Sequence, residues 1–303
     1  MKIFLTGGTG NVGRLVAAEL VRRGHQVKAL VQPGSAAPVG CAAVPGHMGI
    51  AEQLAGAVAE ADGVVHLASP RSNDRRAALH EDVAGCGKLL DAWTRGNFVF
   101  ASSQTVYGVP REIMKEDAAL KASCWYDLAK IANEQQLAMT PLDEHRRAAV
   151  SVRMALLFDA GPRRRDRQFL FEVYQACRGG LRFVFESERA LETAGSVFIG
   201  GEDLARAFSD ALEVPHSGAF NVAGGFCRWK ELIDMINLHA GTASGVVVRD
   251  GGRPGPGEYR LPQSVSSMDL AAFTAASGFR PRQTLEELIS SFVAAESRDG
   301  VRA

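Results

Sequence analysis

The chain has 303 residues, with Lys+Arg 34 against Asp+Glu 34 and 46% hydrophobic residues. It is long enough to bury a full core, and its composition is that of a globular protein, which argues against disorder. The absence of net charge removes any overall pull toward nucleic acid or an anionic membrane, so a small soluble ligand is the expected partner.

The cysteines Cys41, Cys86, Cys124, Cys177 and Cys227 are odd in number and include no C-x-x-C pair, a pattern of free thiols in a reducing cytoplasm. Cys124 is either a reactive thiol or a small packed side chain. The histidines show no ligand spacing, and no metal is expected. Met1-Lys2 leads straight into Ile3-Phe4-Leu5, so neither a cleavable signal nor a membrane span is expected.

Short apolar runs alternate with amphipathic ones through the first half, the pattern of β-α-β units and a parallel sheet. The predicted strands are Lys2 to Thr6, Gln26 to Val31, Gly63 to Ala68, Phe98 to Ser102 and Val150 to Leu157. Val12, Val16 and Leu20 stripe a first helix, and Leu79, Val83 and Leu90 stripe another. Beyond Phe158 the pattern is interrupted by glycine pairs, which suggests a smaller lobe. Ser196 to Ile199 and Ala219 to Val222 read as strands returning to the main sheet.

The run Thr6-Gly7-Gly8-Thr9-Gly10-Asn11-Val12-Gly13 lies between the first strand and the first helix, the context a phosphate-binding turn requires. Gly7 permits a tight turn, Gly10 lets the backbone approach a pyrophosphate, and Gly13 lets helix and strand pack closely. Unpaired N–H groups at the helix start then favour the anion. A carboxylate that would hold the ribose of NAD is expected at the end of the second strand, yet Leu30-Val31-Gln32 ends without one. NADP is therefore preferred over NAD, with Gln32 and Arg14 as contacts for a 2'-phosphate. Arg14 reads equally well as a solvated helix residue.

Tyr126-Asp-Leu-Ala-Lys130 supplies the chemistry. A phenol with its ordinary pKa of about 10 carries protons poorly at neutral pH unless a fixed cation favours the phenolate. Residues i and i+4 of a helix share a face, so Lys130 can be that cation. Ser102-Ser103-Gln104-Thr105-Val106-Tyr107-Gly108 follows a predicted strand and puts Ser103 at a carboxyl end of the sheet, where open α/β folds bind their ligands. The plain alternative is an exposed Tyr126–Lys130 helix pair and a Ser103 that caps a helix.

With these motifs the chain resembles the extended short-chain dehydrogenases/reductases, the NAD(P)-dependent epimerase/dehydratase group that includes UDP-galactose 4-epimerase. The likeness runs almost end to end, taking in the glycine loop, Asp62-Gly-Val-Val-His66-Leu-Ala68, Glu202-Asp203-Leu204-Ala205, Phe220-Asn221-Val222, Arg253-Pro-Gly and Gly278-Phe-Arg-Pro-Arg. It implies an α/β fold, a Rossmann-type doubly wound parallel sheet with a smaller interleaved C-terminal lobe. Residues 1–155 and 196–224 would bind the nucleotide, and 156–195 and 225–303 the substrate. Tyr126 would exchange the hydroxyl proton, Lys130 would support it and hold the nicotinamide ribose, and Ser103 would hydrogen-bond the reacting oxygen. Gly7, Thr9, Gly10, Asn11, Val12, Gly13, Leu67 and Ala68 would line the cofactor. A homodimer paired through helices at Tyr126 to Leu137 and Arg76 to Trp93 is also implied.

Departures narrow the reading. Gln104 and Thr105 stand where the dehydratases carry an acid, which disfavours water elimination and leaves both as substrate contacts. His47 replaces the acid that contacts adenine, Asp82 replaces an Asn, and Cys86 replaces a Thr. Arg253 matches an arginine that holds a nucleotide diphosphate, but Ser196 stands where a second cation is expected. The Arg163–Arg167 run would either substitute for it or be a solvated charge run. Trp125 either lines the pocket or packs. The reading is a sugar-nucleotide epimerase, with a net NADPH-dependent ketoreductase and a non-catalytic NADP sensor as alternatives.

Overall fold

A computed structural model describes residues 1–70, 73–109, 113–159 and 169–300. In chain order its principal elements are β1 (Lys2–Thr6), α1 (Asn11–Arg22), β2 (Gln26–Val31), β3 (Ala42–Pro45), β4 (Gly63–His66), α2 (Ala84–Ala92), β5 (Gly96–Ser103) and β6 (Ile113–Met114). There follow α3 (Trp125–Met139), β7 (Arg146–Met154), β8 (Leu156–Phe158), α4 (Phe169–Arg178), β9 (Arg182–Phe185), β10 (Gly195–Gly200), α5 (Gly201–Ala211), β11 (Gly218–Val222) and β12 (Gly225–Arg228). The chain closes through α6 (Trp229–Ala240), β13 (Val246–Val248), β14 (Glu258–Arg260), β15 (Val265–Met268) and α7 (Leu285–Gly300).

Seven strands form one sheet in the order β11-β7-β5-β4-β1-β2-β3, and every neighbouring pair is parallel. Side-chain alternation along β1 explains the layers. Ile3 and Leu5 join Val16 and Leu20 of α1 in one buried cluster, whereas Phe4 joins Leu89, Trp93, Phe98 and Phe100 in another. Each such fully buried side chain contributes roughly 1.5–3 kcal/mol. The chain runs outward from β1 to β3 and then returns to β4 beside β1, so a crevice opens where the strand order reverses.

The first two predicted strands coincide with β1 and β2. The fourth is Gly96–Ser103, starting two residues earlier than expected and ending one later to bring in Ser103, while the third stops at His66 because Ala68 turns its N–H to the Thr6 hydroxyl. Val150 to Leu157 is broken in two. Ala155 donates to the Val222 carbonyl, after which β8 leaves the main sheet and pairs with β10.

The expected return of Ser196 to Ile199 to the main sheet is corrected by the structure. That segment is β10, paired with β12, β15 and β8 in a second, five-stranded sheet, and of the two segments Gly218–Val222 alone joins the large one. Every residue of β10 is buried, a pattern that announces a covered strand without naming its neighbours. A third sheet, β13-β9-β14, belongs to the smaller lobe, whose core gathers Phe158, Tyr174, Phe183, Trp229 and Phe292.

Candidate active site

Between β1 and α1 the backbone closes tightly, with Gly10 N–H donating to the Gly7 carbonyl at 2.9 Å. Gly7 sits at φ +71°, and a Cβ there would lie 2.6 Å from Ala68 N. A Cβ on Gly13 would fall 2.0 Å from the Gly7 oxygen, so Gly13 seats the helix on the turn itself. Gly10 caps α1 without any side-chain hydrogen bond, and the first turn of the helix carries no acid. Among the described residues no side chain hydrogen-bonds the opening N–H groups of α1, a fit for a pyrophosphate. Thr9 is exposed and Asn11 and Val12 are half-buried around the turn. Leu67 and Ala68 lie directly against Gly7.

Gln32 follows β2 and is exposed, while His47 follows β3 and is half-buried, so both stand at the carboxyl edge that carries the glycine turn. His47 Nδ1 accepts from Gly49 N–H at 3.0 Å, which leaves Nε2 to carry the ring proton. Arg14 turns elsewhere. Its Nη2 donates to Asp159 at 2.8 Å and its buried Nε finds no partner.

Ser103 is the last residue of β5. Its Oγ accepts from Thr105 N at 3.2 Å and from Thr105 Oγ1 at 3.0 Å, so it does cap the short turn Gln104–Tyr107. Capping uses the oxygen lone pairs and leaves the hydroxyl proton for an incoming oxygen. Gln104 Nε2 reaches the buried Ser196 Oγ at 3.3 Å, while Thr105 stays exposed.

Tyr126 lies in the first turn of α3, half-buried, and Lys130 lies one turn on with only 2% of its surface exposed. Lys130 Nζ is 5.4 Å from the centre of the Tyr126 ring and 4.8 Å from that of Phe100 on β5. The exposed-pair alternative does not hold, because Lys130 is buried with its ammonium against two aromatic rings. The backbone N–H of Trp125 donates to Asn73 Oδ1 at 2.8 Å, and the Trp125 ring carries Arg75 at 6.0 Å. Arg253 is exposed in the β13–β14 connection, and its carbonyl accepts from Arg249. Among the described residues no contact joins its side chain to Ser103, Tyr126 or Lys130. The Arg163–Arg167 run lies outside the described residues.

What holds α3 in place is a buried polar network. Arg153 on β7 grips the Glu134 carboxylate of α3 at 2.6 Å, and Ser102 donates to the same carboxylate. Arg153 also reaches the Tyr107 hydroxyl at 2.8 Å, which donates to Asn221 on β11 at 2.7 Å. Sequence reasoning missed this network because its members are far apart along the chain.

It also missed a second cluster, behind Lys130. Asp82 Oδ2 stands 3.9 Å from Lys130 Nζ and accepts from Ser69, and Asp82 Oδ1 accepts from Asn133 Nδ2 at 2.8 Å. His66 is fully buried beside them. Burial, aided by Lys130 and opposed by Asp82, holds its imidazole down to about 4, so it is neutral at working pH. The available signals were the acid at 82 in place of a neutral amide and the i, i+3 spacing of Lys130 and Asn133. Among the described residues no group of three or more His, Cys, Asp or Glu could hold a metal ion, and no helix is long and apolar enough to cross a membrane.

A glycine turn opening a helix, with a serine, a tyrosine and a buried lysine brought to the same edge of a parallel sheet, defines an NAD(P)-binding α/β protein. The chain belongs to the NAD dependent epimerase/dehydratase family, whose profile matches residues 3–223. No curated protein matches it in sequence. Among solved structures it is similar to a UDP-glucose-4-epimerase from Stenotrophomonas maltophila with bound NAD and formylated UDP-arabinopyranose, at 22% identity over 100% of both chains and a TM-score of 0.80. The Thermus thermophilus UDP-glucose 4-epimerase complex with NAD matches at 22% identity over 97% of this chain and 98% of that one, with a TM-score of 0.75. The Thermotoga maritima UDP-glucose 4-epimerase with UDP-glucose matches at 19% identity over 99% of each, with a TM-score of 0.77. At these identities the likeness establishes the fold.

Proposed function

We propose that this protein is an epimerase that oxidises and re-reduces a secondary alcohol of a sugar nucleotide with bound NAD(P). The observation that carries the reading is the Lys130 ammonium, buried 5.4 Å from the Tyr126 ring at the sheet edge that ends in Ser103. The nicotinamide, when bound, supplies the hydride acceptor and donor. Ser103 donates its remaining proton to the reacting oxygen and orients it. Tyr126 as phenolate takes the hydroxyl proton as the alcohol becomes a ketone, and returns it on re-reduction. Lys130 favours the phenolate by its charge and offers its N–H groups to the nucleotide ribose. Gly7, Gly10 and Gly13 hold the pyrophosphate on the start of α1.

NADP remains our preference because no acid stands at the end of β2, with Gln32 as the contact. Arg14 no longer supports that preference, since Asp159 engages its guanidinium. Dimerisation through α3 and the helical run ahead of β5 belongs to the same proposal.

The test is incubation with UDP-glucose or UDP-galactose and nicotinamide nucleotide, followed by NMR of the sugar. Interconversion without net change at the nicotinamide absorbance band is expected, and Tyr126→Phe should abolish it. Consumption of one NADPH per product would instead identify a ketoreductase. That second reading is favoured by Ser196, which meets Gln104 where a diphosphate would need a cation. A sensor role requires that Tyr126→Phe leave every cellular effect intact.

A further inference from the structure

We infer that Asp82 is the positioning residue and counter-charge of Lys130, and that it sets how much positive charge reaches Tyr126. The inference builds on the proposed roles of Tyr126 and Lys130. Asp82 lies in a π turn, Ala78–Val83, within the helical run Arg75 to Ala92. Such turns widen a helix by a residue and recur where a side chain must be re-aimed. Here the aspartate is turned inward, with its side chain 1% exposed.

Its carboxylate cannot swing. Ser69, after β4, donates to Oδ2, and Asn133 of α3 donates to Oδ1 at 2.8 Å. Asn133 and Lys130 are three residues apart, so one face of α3 delivers both an amide and an ammonium to a single acid. The 3.9 Å between Oδ2 and Nζ is longer than a hydrogen bond. Asp82 therefore opposes the charge of Lys130 while leaving its N–H groups for other acceptors. The remaining titratable groups facing the pair are His66 from β4, Cys86 from α2 and Tyr126 itself. His66 is neutral, and burial pushes the Cys86 thiol up so that it stays protonated. The local charge is thus one ammonium and one carboxylate, and removing the carboxylate leaves a net positive site next to the phenol.

Asp82→Asn preserves the shape and the polar neighbours while removing the negative charge. The readout is the ring 13Cζ signal of Tyr126 followed by NMR against pH in the full chain, with and without NAD+. The chain has only 4 tyrosines, and Tyr126→Phe identifies the signal. The expected result is that the Tyr126 signal changes at lower pH in Asp82→Asn than in the parent, because no carboxylate then offsets the ammonium. Asp82→Ala, a smaller replacement, should move it the same way. A signal that titrates at the same pH or a higher one in a folded variant would overturn the inference. The measurement needs no substrate, so failure to interconvert UDP-hexoses would sink the epimerase reading and leave this result standing.

Discussion

The large parallel sheet and the smaller lobe spend their charged residues differently. At the sheet's carboxyl edge the charges are buried and paired: Arg153 with Glu134, Asp82 beside Lys130. In the lobe the core is apolar, built on Phe158, Phe183, Trp229 and Phe292; Arg260–Glu186 and Lys230–Asp234 lie at the surface, and the covered Glu258 carboxylate pairs with the exposed Arg182 and Arg249. A buried pair fixes geometry because neither partner can leave without stranding the other. A surface pair exchanges with water and leaves its element free to vary. The contrast sets a rigid floor beneath the proposed proton chemistry against a smaller, more adaptable cover.

The strongest challenge to that assignment is Tyr126→Phe. Loss of a positioned proton carrier should lower turnover by about 10²–10⁴-fold, while nucleotide binding, measured by fluorescence titration, stays close to the parent. If turnover survives, the floor does not carry the chemistry. Next in size is Glu134→Ala, which strands Arg153 in the core. It should cost about 3–5 kcal/mol in urea unfolding. Asp234→Ala in the lobe should cost less than about 1 kcal/mol. Similar losses at the two sites would erase the distinction between the regions.

The sheet was largely legible in the sequence because parallel strands buried on both faces read as short continuous apolar runs, and β1 and β2 match to the residue. The glycine turn was legible because Gly7 and Gly13 are places where a Cβ would collide with backbone. The sheet change at Ala155 and the partners of β10 were not, since strand pairing is decided by tertiary packing. Asp82 was visible only as an odd residue in a familiar run. That it meets Lys130 depends on a π turn, for which its sequence, Ala-Leu-His-Glu-Asp-Val, carries no evident signature.

His66 turns the buried floor into a pH-dependent one. Its folded value of about 4 lies below the ordinary 6.5, because burial disfavours the charged ring. As pH falls below 6.5 the unfolded chain gains a proton that the native chain refuses, so stability drops until about pH 4 and then levels off for this group. The loss is up to about 3 kcal/mol over that window. Glu19, held down to about 2 chiefly by its hydrogen bond to Arg22, loses its contribution later, below about 4.5. Urea unfolding at pH 6.5 and pH 4.5 should show the drop, and His66→Leu should remove most of it. A drop of the same size in that variant would place the acid sensitivity elsewhere.

A last expected effect, on affinity rather than stability, concerns the cofactor edge, and it separates two residues that sequence reasoning treated alike. Arg14 already has an anion in Asp159, whereas Gln32 is exposed just after β2 and its side chain has no hydrogen bond among the described residues. A carboxylate at position 32 can accept from a ribose 2'-hydroxyl and repels a 2'-phosphate. Gln32→Glu should therefore shift the ratio of NAD to NADP affinity toward NAD by about tenfold, about 1.4 kcal/mol. Arg14→Ala should leave that ratio nearly unchanged and should instead lower stability, because the 2.8 Å ion pair between Arg14 and Asp159 is lost. Calorimetric titration with both nucleotides reads the first effect and thermal unfolding reads the second. If Arg14→Ala moved the ratio more than Gln32→Glu, the guanidinium would have to leave Asp159 when nucleotide binds, and the edge of the floor would be as adaptable as the cover.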